Sequence, residues 1–163
     1  MKKILWAGLV GGLVVFLWGT VSHTVLPIGQ MGLKPMPVNS PLLDSMKGAL
    51  AEEGLYYYPG REAGRDQTEA EDAVWMTKYR MGPTGLLLYR PNGAEPMSPA
   101  QLGIQLATDI FGALLLAYLL VAIAGSTGAQ VPLAKMLRIS CVAGLFAWAS
   151  ISIAHWNWYG FPG

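Results

Sequence analysis

Three long apolar runs divide the chain: ILWAGLVGGLVVFLWGTVSHTVL over 4–26, LGIQLATDIFGALLLAYLLVAIA over 102–124 and LRISCVAGLFAWASISIAHW over 137–156. About 20 apolar residues suffice for a helix to cross the hydrocarbon core of a bilayer. Each run meets that length, which predicts three transmembrane helices. The stretches outside them are mixed in character and hold nearly all of the charge.

The largest of these stretches, 27–101, begins with PIGQMGLKPMPVNSP, whose four prolines predict an extended arm. Ser40 followed by Pro41 forms a helix-start pair. Leu42, Leu43, Met46, Ala49 and Leu50 then fall on one helical face, and Gly54 is expected to stop that helix. LYYYP, AVWMTKYR and GLLLYR read as strands, the last two joined through MGPT as a hairpin. GREAGRDQTEAEDA, lying between them, reads as a solvated loop or short helix. The expectation is a small cap of one arm, one helix and about three strands, marginal by itself. Tyr56, Tyr57, Tyr58, Trp75 and Tyr79 would either fill its core or lie against a membrane or a partner. Ser98-Pro99-Ala100-Gln101 supplies a cap serine, a proline at the first position and a glutamine three residues after the cap, which predicts the start of the second long helix.

Composition agrees with a membrane protein. Charged residues make up 13% of the chain, against about 25% in soluble domains. A net charge of +1 offers no basic surface for nucleic acid. The single cysteine, Cys141, excludes an internal disulfide and any cysteine cluster for zinc or iron–sulfur. Lys2 and Lys3 precede the first run, and Lys135 and Arg138 sit at the start of the third. The segment between the first two runs carries seven basic and nine acidic residues, but segments of that length cross largely regardless of charge.

The predicted layout follows from those charges. Residues 1–26 form the first transmembrane helix with a cytoplasmic N-terminus, and 27–101 an extracytoplasmic cap. Residues 102–124 form the second helix, 125–136 a cytoplasmic loop, 137–156 the third helix and 157–163 an outer aromatic tail. A bacterial inner membrane fits this layout best. The first run reads as a retained anchor rather than a cleaved signal. Its apolar stretch exceeds the 7–15 residues of a signal core, and the cleavage pattern after Ser22, with Thr20 at the minus-three position, is weak.

The chemistry inside the runs is sparse. Gly8, Gly12, Gly19 and His23 share one face of the first, where glycines let a second helix approach closely. Gln101, Gln105, Asp109, Gly112 and Ala113 form a stripe on the second. Ser140, Gly144, Ser152 and His155, with Trp148 among them, do the same on the third. Asp109 is the one ionisable residue well inside a run, about 12 Å from Gln101 at the helical rise. An intramembrane carboxylate is a functional candidate with a partner, and His23, His155 and Gln105 are the partners within the chain. Gln105, Asp109, Ser152, His155 and His23 are thus the candidate polar cluster. It reads as a structural pairing of helices, as a proton or quinol site, or as a haem or chlorophyll-type pigment site on His23 or His155. No cofactor is required by any motif. No nucleophile elbow, phosphate loop, metal-ligand spacing or dinucleotide fingerprint is present. Trp156, Trp158, Tyr159 and Phe161 are candidate interface anchors, since such rings concentrate at the headgroup level. They form either a simple belt or a plug docked under the cap or into a partner.

FLWGTVSHTVLP (16–27), GLYYYPG (54–60), PMSPAQLG (96–103) and HWNWYGFP (155–162) together resemble a group of small bacterial multi-span membrane proteins without assigned function. The resemblance is spread over most of the chain and implies no catalytic residues. It implies that a further hydrophobic segment can follow the aromatic stretch. The expected fold is therefore all-α in the membrane, with three transmembrane helices and a small α+β extracytoplasmic cap. The expected function is a non-enzymatic accessory subunit held by other membrane subunits and the lipid bilayer. An electron-transfer or photosynthetic (reaction centre and antenna) complex is the preferred host. The alternative is a haem-, chlorophyll- or quinol-binding membrane protein.

Overall fold

The computed structural model describes residues 2–26, 28, 31–61, 66–127 and 131–161. Pro27, part of the charged loop (62–65), part of the predicted inner loop (128–130), Pro162 and Gly163 lie outside the described residues. The chain divides into two compact units, one made of 1–33 with 95–154 and 162–163, the other of 34–94 with 155–161.

Three helices are long and apolar enough to cross a membrane, all in the first unit except residues 155–159 at the end of the third. They are α1 (Lys2–Thr24), α4 (Pro99–Thr127) and a third that starts as α5 (Leu133–Trp148), passes through a π-helical turn at Ala149–Ile153 and ends as α6 (Ala154–Tyr159). The second and third extend beyond the apolar runs that predicted them, and α1 starts before its run and ends at Thr24. Backbone groups inside hydrocarbon are satisfied only by an unbroken helix, and flanking residues with adequate helix propensity prolong it. The predicted loop 125–136 is shortened from both sides, and the third helix persists through Trp156 and Trp158 to Tyr159. Gly160, at φ +69°, ends it. The predicted start of α4 is present: Ser98 N and Oγ both donate to Gln101 Oε1, at 2.9 and 3.1 Å, and Gln101 N donates back to Ser98 Oγ at 3.3 Å.

α1 and α4 are the closely packed pair. A Cβ placed on Gly8 would lie 2.3 Å from the Leu114 side chain, and one on Gly12 would lie 2.4 Å from Ile110 Cα. Residue numbers run in opposite senses along the contact, so the helices are antiparallel. Gly11, outside the predicted glycine stripe, also faces α4, with Ala113 Cβ 3.4 Å from its added Cβ. Gly19 meets nothing within 4 Å. The two helices approach most closely among these glycines at Gly8 and Gly12. The third helix makes only sparse contact with α4. Its π turn adds a residue to the α pattern, rotating later positions by about 100° relative to an uninterrupted helix. The stripe drawn through Ser140, Gly144, Ser152 and His155 assumed no such interruption.

The second unit contains α2 (Leu42–Ala49), β1 (Gly54–Tyr58), α3 (Glu69–Met81) and β2 (Gly85–Tyr89). Three expectations are corrected here. The helix predicted to run toward Gly54 stops at Ala49, where Leu50 is already extended (φ −118°, ψ 115°), and Gly54 opens β1 instead. AVWMTKYR is not a strand but most of α3. There is no MGPT hairpin, because β2 pairs antiparallel with β1, Gly54 opposite Tyr89 and Tyr58 opposite Gly85, giving a two-stranded sheet.

The helix at 69–81 wins over strand propensity because its ends are written for it. Thr68 and Glu71 form a reciprocal capping box. Glu69, Glu71 and Asp72 occupy the first turn and Lys78 and Arg80 the last, matching the helix dipole. Trp75 and Tyr79 then stack one turn apart, 5.1 Å between ring centroids.

A two-stranded sheet is marginal in water, and aromatic side chains hold this one. Tyr58 covers its cross-strand neighbour Gly85, whose added Cβ would meet the Tyr58 hydroxyl at 2.6 Å. Tyr56 packs edge-on to Tyr89, the one buried hydrophobic residue among those described. Trp75 ties α3 back to the end of β1 by donating from Nε1 to Pro59 O at 3.1 Å. Arg61 lies over the Trp75 ring at 4.9 Å and pairs with Asp72.

Gly12→Leu should force α1 and α4 apart and destabilise the protein by about 1–3 kcal/mol. Gly19→Ala should be neutral, since it enters open space. Thermal unfolding of both variants in detergent checks the pair, and equal effects would contradict the packing. Trp75→Phe should cost about 1 kcal/mol through loss of the bond to Pro59, read as earlier unfolding of the second unit by hydrogen exchange.

Candidate functional site

The second half of α1, from Val15 to Thr24, and the early turns of α4 line a cavity of about 730 Å³ in the first unit. That is within the roughly 300–1,000 Å³ of small-molecule sites. Phe16, Trp18 and Leu102 supply apolar wall, while His23, Gln105 and Asp109 supply the main polar groups.

The last two turns of α1 set the state of His23. Hydroxyls in apolar surroundings satisfy themselves on the preceding turn. Thr20 Oγ1 donates to Phe16 O at 3.0 Å, Thr24 Oγ1 to Thr20 O at 2.6 Å, and Ser22 Oγ to Gly19 O at 3.0 Å. His23 Nδ1 lies 2.9 Å from the same Gly19 carbonyl and 3.0 Å from Ser22 Oγ. A carbonyl has no proton, so a nitrogen this close must carry one. Nδ1 is therefore the donor to Gly19 O, and the tautomer with a single proton there has its lone pair on Nε2. Ser22, the one buried polar side chain among those described, braces this geometry.

On α4, Gln105 Nε2 donates to Asp109 Oδ1 at 2.9 Å, one turn apart. Asp109 is half-buried. Its partner is thus a neighbour on its own helix rather than a histidine on another. That bond leaves the second carboxylate oxygen, one Gln105 N–H and the Gln105 carbonyl oxygen uncommitted on two residues that line the cavity.

The sequence-derived cluster is divided by the fold. His23, Gln105 and Asp109 line one cavity, while Ser152 and His155 are not on its walls. Ser152 sits within the π turn. His155 belongs to the second unit and contacts Tyr159 and Phe161, at 5.8 and 5.4 Å between centroids. Tyr159 and Phe161 in turn lie 6.4 Å apart, so the end of the chain forms a local aromatic cluster. Trp156 and Trp158 remain exposed, at 59% and 76%. Of the predicted packing glycines, Gly8 and Gly12 are buried against α4 and Gly19 borders the cavity. Among the described residues no three His, Cys, Asp or Glu converge as a metal site. Sequence reasoning passed over Ser22, Thr20, Thr24 and Trp18. The available signal was a hydroxyl on almost every position around His23.

A same-helix Gln–Asp pair stabilises a helix by about 0.2–0.5 kcal/mol. Asp109→Leu should therefore leave thermal stability in detergent within about 1 kcal/mol of the parent, which calorimetry or circular dichroism can measure. A loss of several kcal/mol would mean that Asp109 binds α4 to another helix.

No protein-family model, curated protein or solved structure matches the chain.

Proposed function

We propose that the protein is a non-enzymatic accessory subunit of a larger bacterial inner-membrane complex. In this reading the N-terminus is cytoplasmic, and residues 27–101 and the aromatic tail are extracytoplasmic. The observation that carries it is the third helix. In lipid, helices associate by close packing of small residues and by interhelical hydrogen bonds rather than by hydrophobic exclusion. α1 uses Gly8, Gly11 and Gly12 against α4. The third helix has only sparse contact with α4, and nothing lies within 4 Å of a Cβ added at Gly144. Gly112 on α4 is equally open. Helices from other subunits fit these open faces. The second unit, with Tyr89 as its one buried hydrophobic residue among those described, gains most from lying on a larger body. A host that moves electrons or captures light remains the preferred setting, on the strength of the aromatic tail and the two histidines.

The second reading is a pigment- or quinol-binding protein using His23, Asp109 and His155. The cavity beside His23 favours its quinol form, and the absorption spectrum separates the pigment form from the first reading. A haem or chlorin band lost in His23→Ala or His155→Ala would support pigment binding.

Gly144→Leu should leave the stability of the isolated subunit unchanged, because it enters open space, and should lower the yield of co-purified membrane partners several-fold. Native gels after gentle solubilisation and mass spectrometry of the partners provide the measurement. Migration of the parent protein alone as a monomer would refute the proposal.

A further inference from the structure

We infer that the cavity between α1 and α4 binds a hydroquinone-type amphipath, a ring presenting hydroxyl donors on an apolar body. The inference rests on the quinol form of the second reading and deepens it by naming hydroxyl donors as what the cavity selects; saturable binding without preference over the ether would sink this selection and leave that reading standing.

The argument is an inventory of the hydrogen-bonding groups that line the cavity. His23 Nε2 is an acceptor in the tautomer whose single proton sits on Nδ1, against Gly19 O at 2.9 Å. Thr20 and Thr24 have committed their protons to backbone carbonyls and retain only lone pairs. Asp109 adds a carboxylate oxygen beyond the one that takes Gln105. Against these acceptors the described lining offers two uncommitted N–H groups, one on Gln105 and the indole N–H of Trp18. Acceptors outnumber donors on these walls, so an occupant that brings hydroxyl donors gains most. Among the described residues no lysine or arginine lines the cavity, which disfavours a phosphate or carboxylate head beside Asp109. An ammonium head, whose charge the Asp109 carboxylate would match, is the competing occupant, and the amine in the test below separates the two. Phe16 and Trp18 offer aromatic surface for a flat ring. The volume, about 730 Å³, holds a ring together with part of an apolar tail.

The test uses the full chain in detergent with a decyl-substituted hydroquinone, the corresponding dimethyl ether, and an amine on the same apolar body, with binding measured by equilibrium dialysis. The hydroquinone should bind saturably, one per chain, and about tenfold more tightly than the ether, the factor expected for lost hydrogen bonds. His23→Ala should bring the hydroquinone down to the affinity of the ether and leave the ether unchanged. A purely structural effect would lower both together. Equal binding of hydroquinone and ether, absence of saturation, or tighter binding of the amine would each overturn the inference. The ligand comparison on the parent protein decides the matter even where the variant fails to fold.

Discussion

The close approach of α1 and α4 at Gly8 and Gly12 is the contact on which the membrane-type unit depends. Without side chains at these positions, the backbone of one helix reaches the Ile110–Leu114 stretch of the other. Close backbone approach maximises dispersion contact, which is the main attraction left between helices once water is absent. These glycine contacts lie in the first half of α1. Its second half, where a Cβ added at Gly19 would meet nothing within 4 Å, lines the cavity instead. Packing and site are two consequences of where the glycines stop meeting the partner helix.

The polar residues around the cavity are satisfied within their own helices. Ser22, Thr20, Thr24 and His23 turn to carbonyls of the preceding turn, and Gln105 and Asp109 bond to each other. Intrahelical satisfaction removes them as glue between α1 and α4, which leaves that role to packing. It also fixes which atoms remain available, because each committed proton exposes a lone pair elsewhere. Local backbone bonding in this way determines the chemical character of the cavity before any ligand is considered.

The smaller unit rests on a different economy. Its two strands come from distant parts of the chain, and the helix between them is defined by its ends rather than by a buried face. The capping box at Thr68 and Glu71, the charge gradient along α3 and the Trp75 bond to Pro59 set that helix against the end of β1. Aromatic rings stand in for a deep core.

The sequence by itself determined the three long helices, because length and continuous apolarity leave few alternatives. It also determined the α4 start at Ser98-Pro99-Ala100-Gln101, which is local chemistry. The Thr68–Glu71 cap was equally local and equally readable, yet the aromatic and β-branched content of 73–80 pointed to a strand. End signals prevailed over side-chain propensity there. Only the tertiary structure decided which glycines touch a partner, because Gly8, Gly12 and Gly19 are equivalent on a single helix and differ only once α4 is placed. It likewise decided that His23, Gln105 and Asp109 share a cavity while Ser152 and His155 do not. Helical spacing reports which residues share a face of their own helix, and the π turn at 149–153 breaks even that rule for the third. Strand pairing between β1 and β2 was beyond the sequence for a related reason: neighbours across a sheet are fixed by the path of the chain between them.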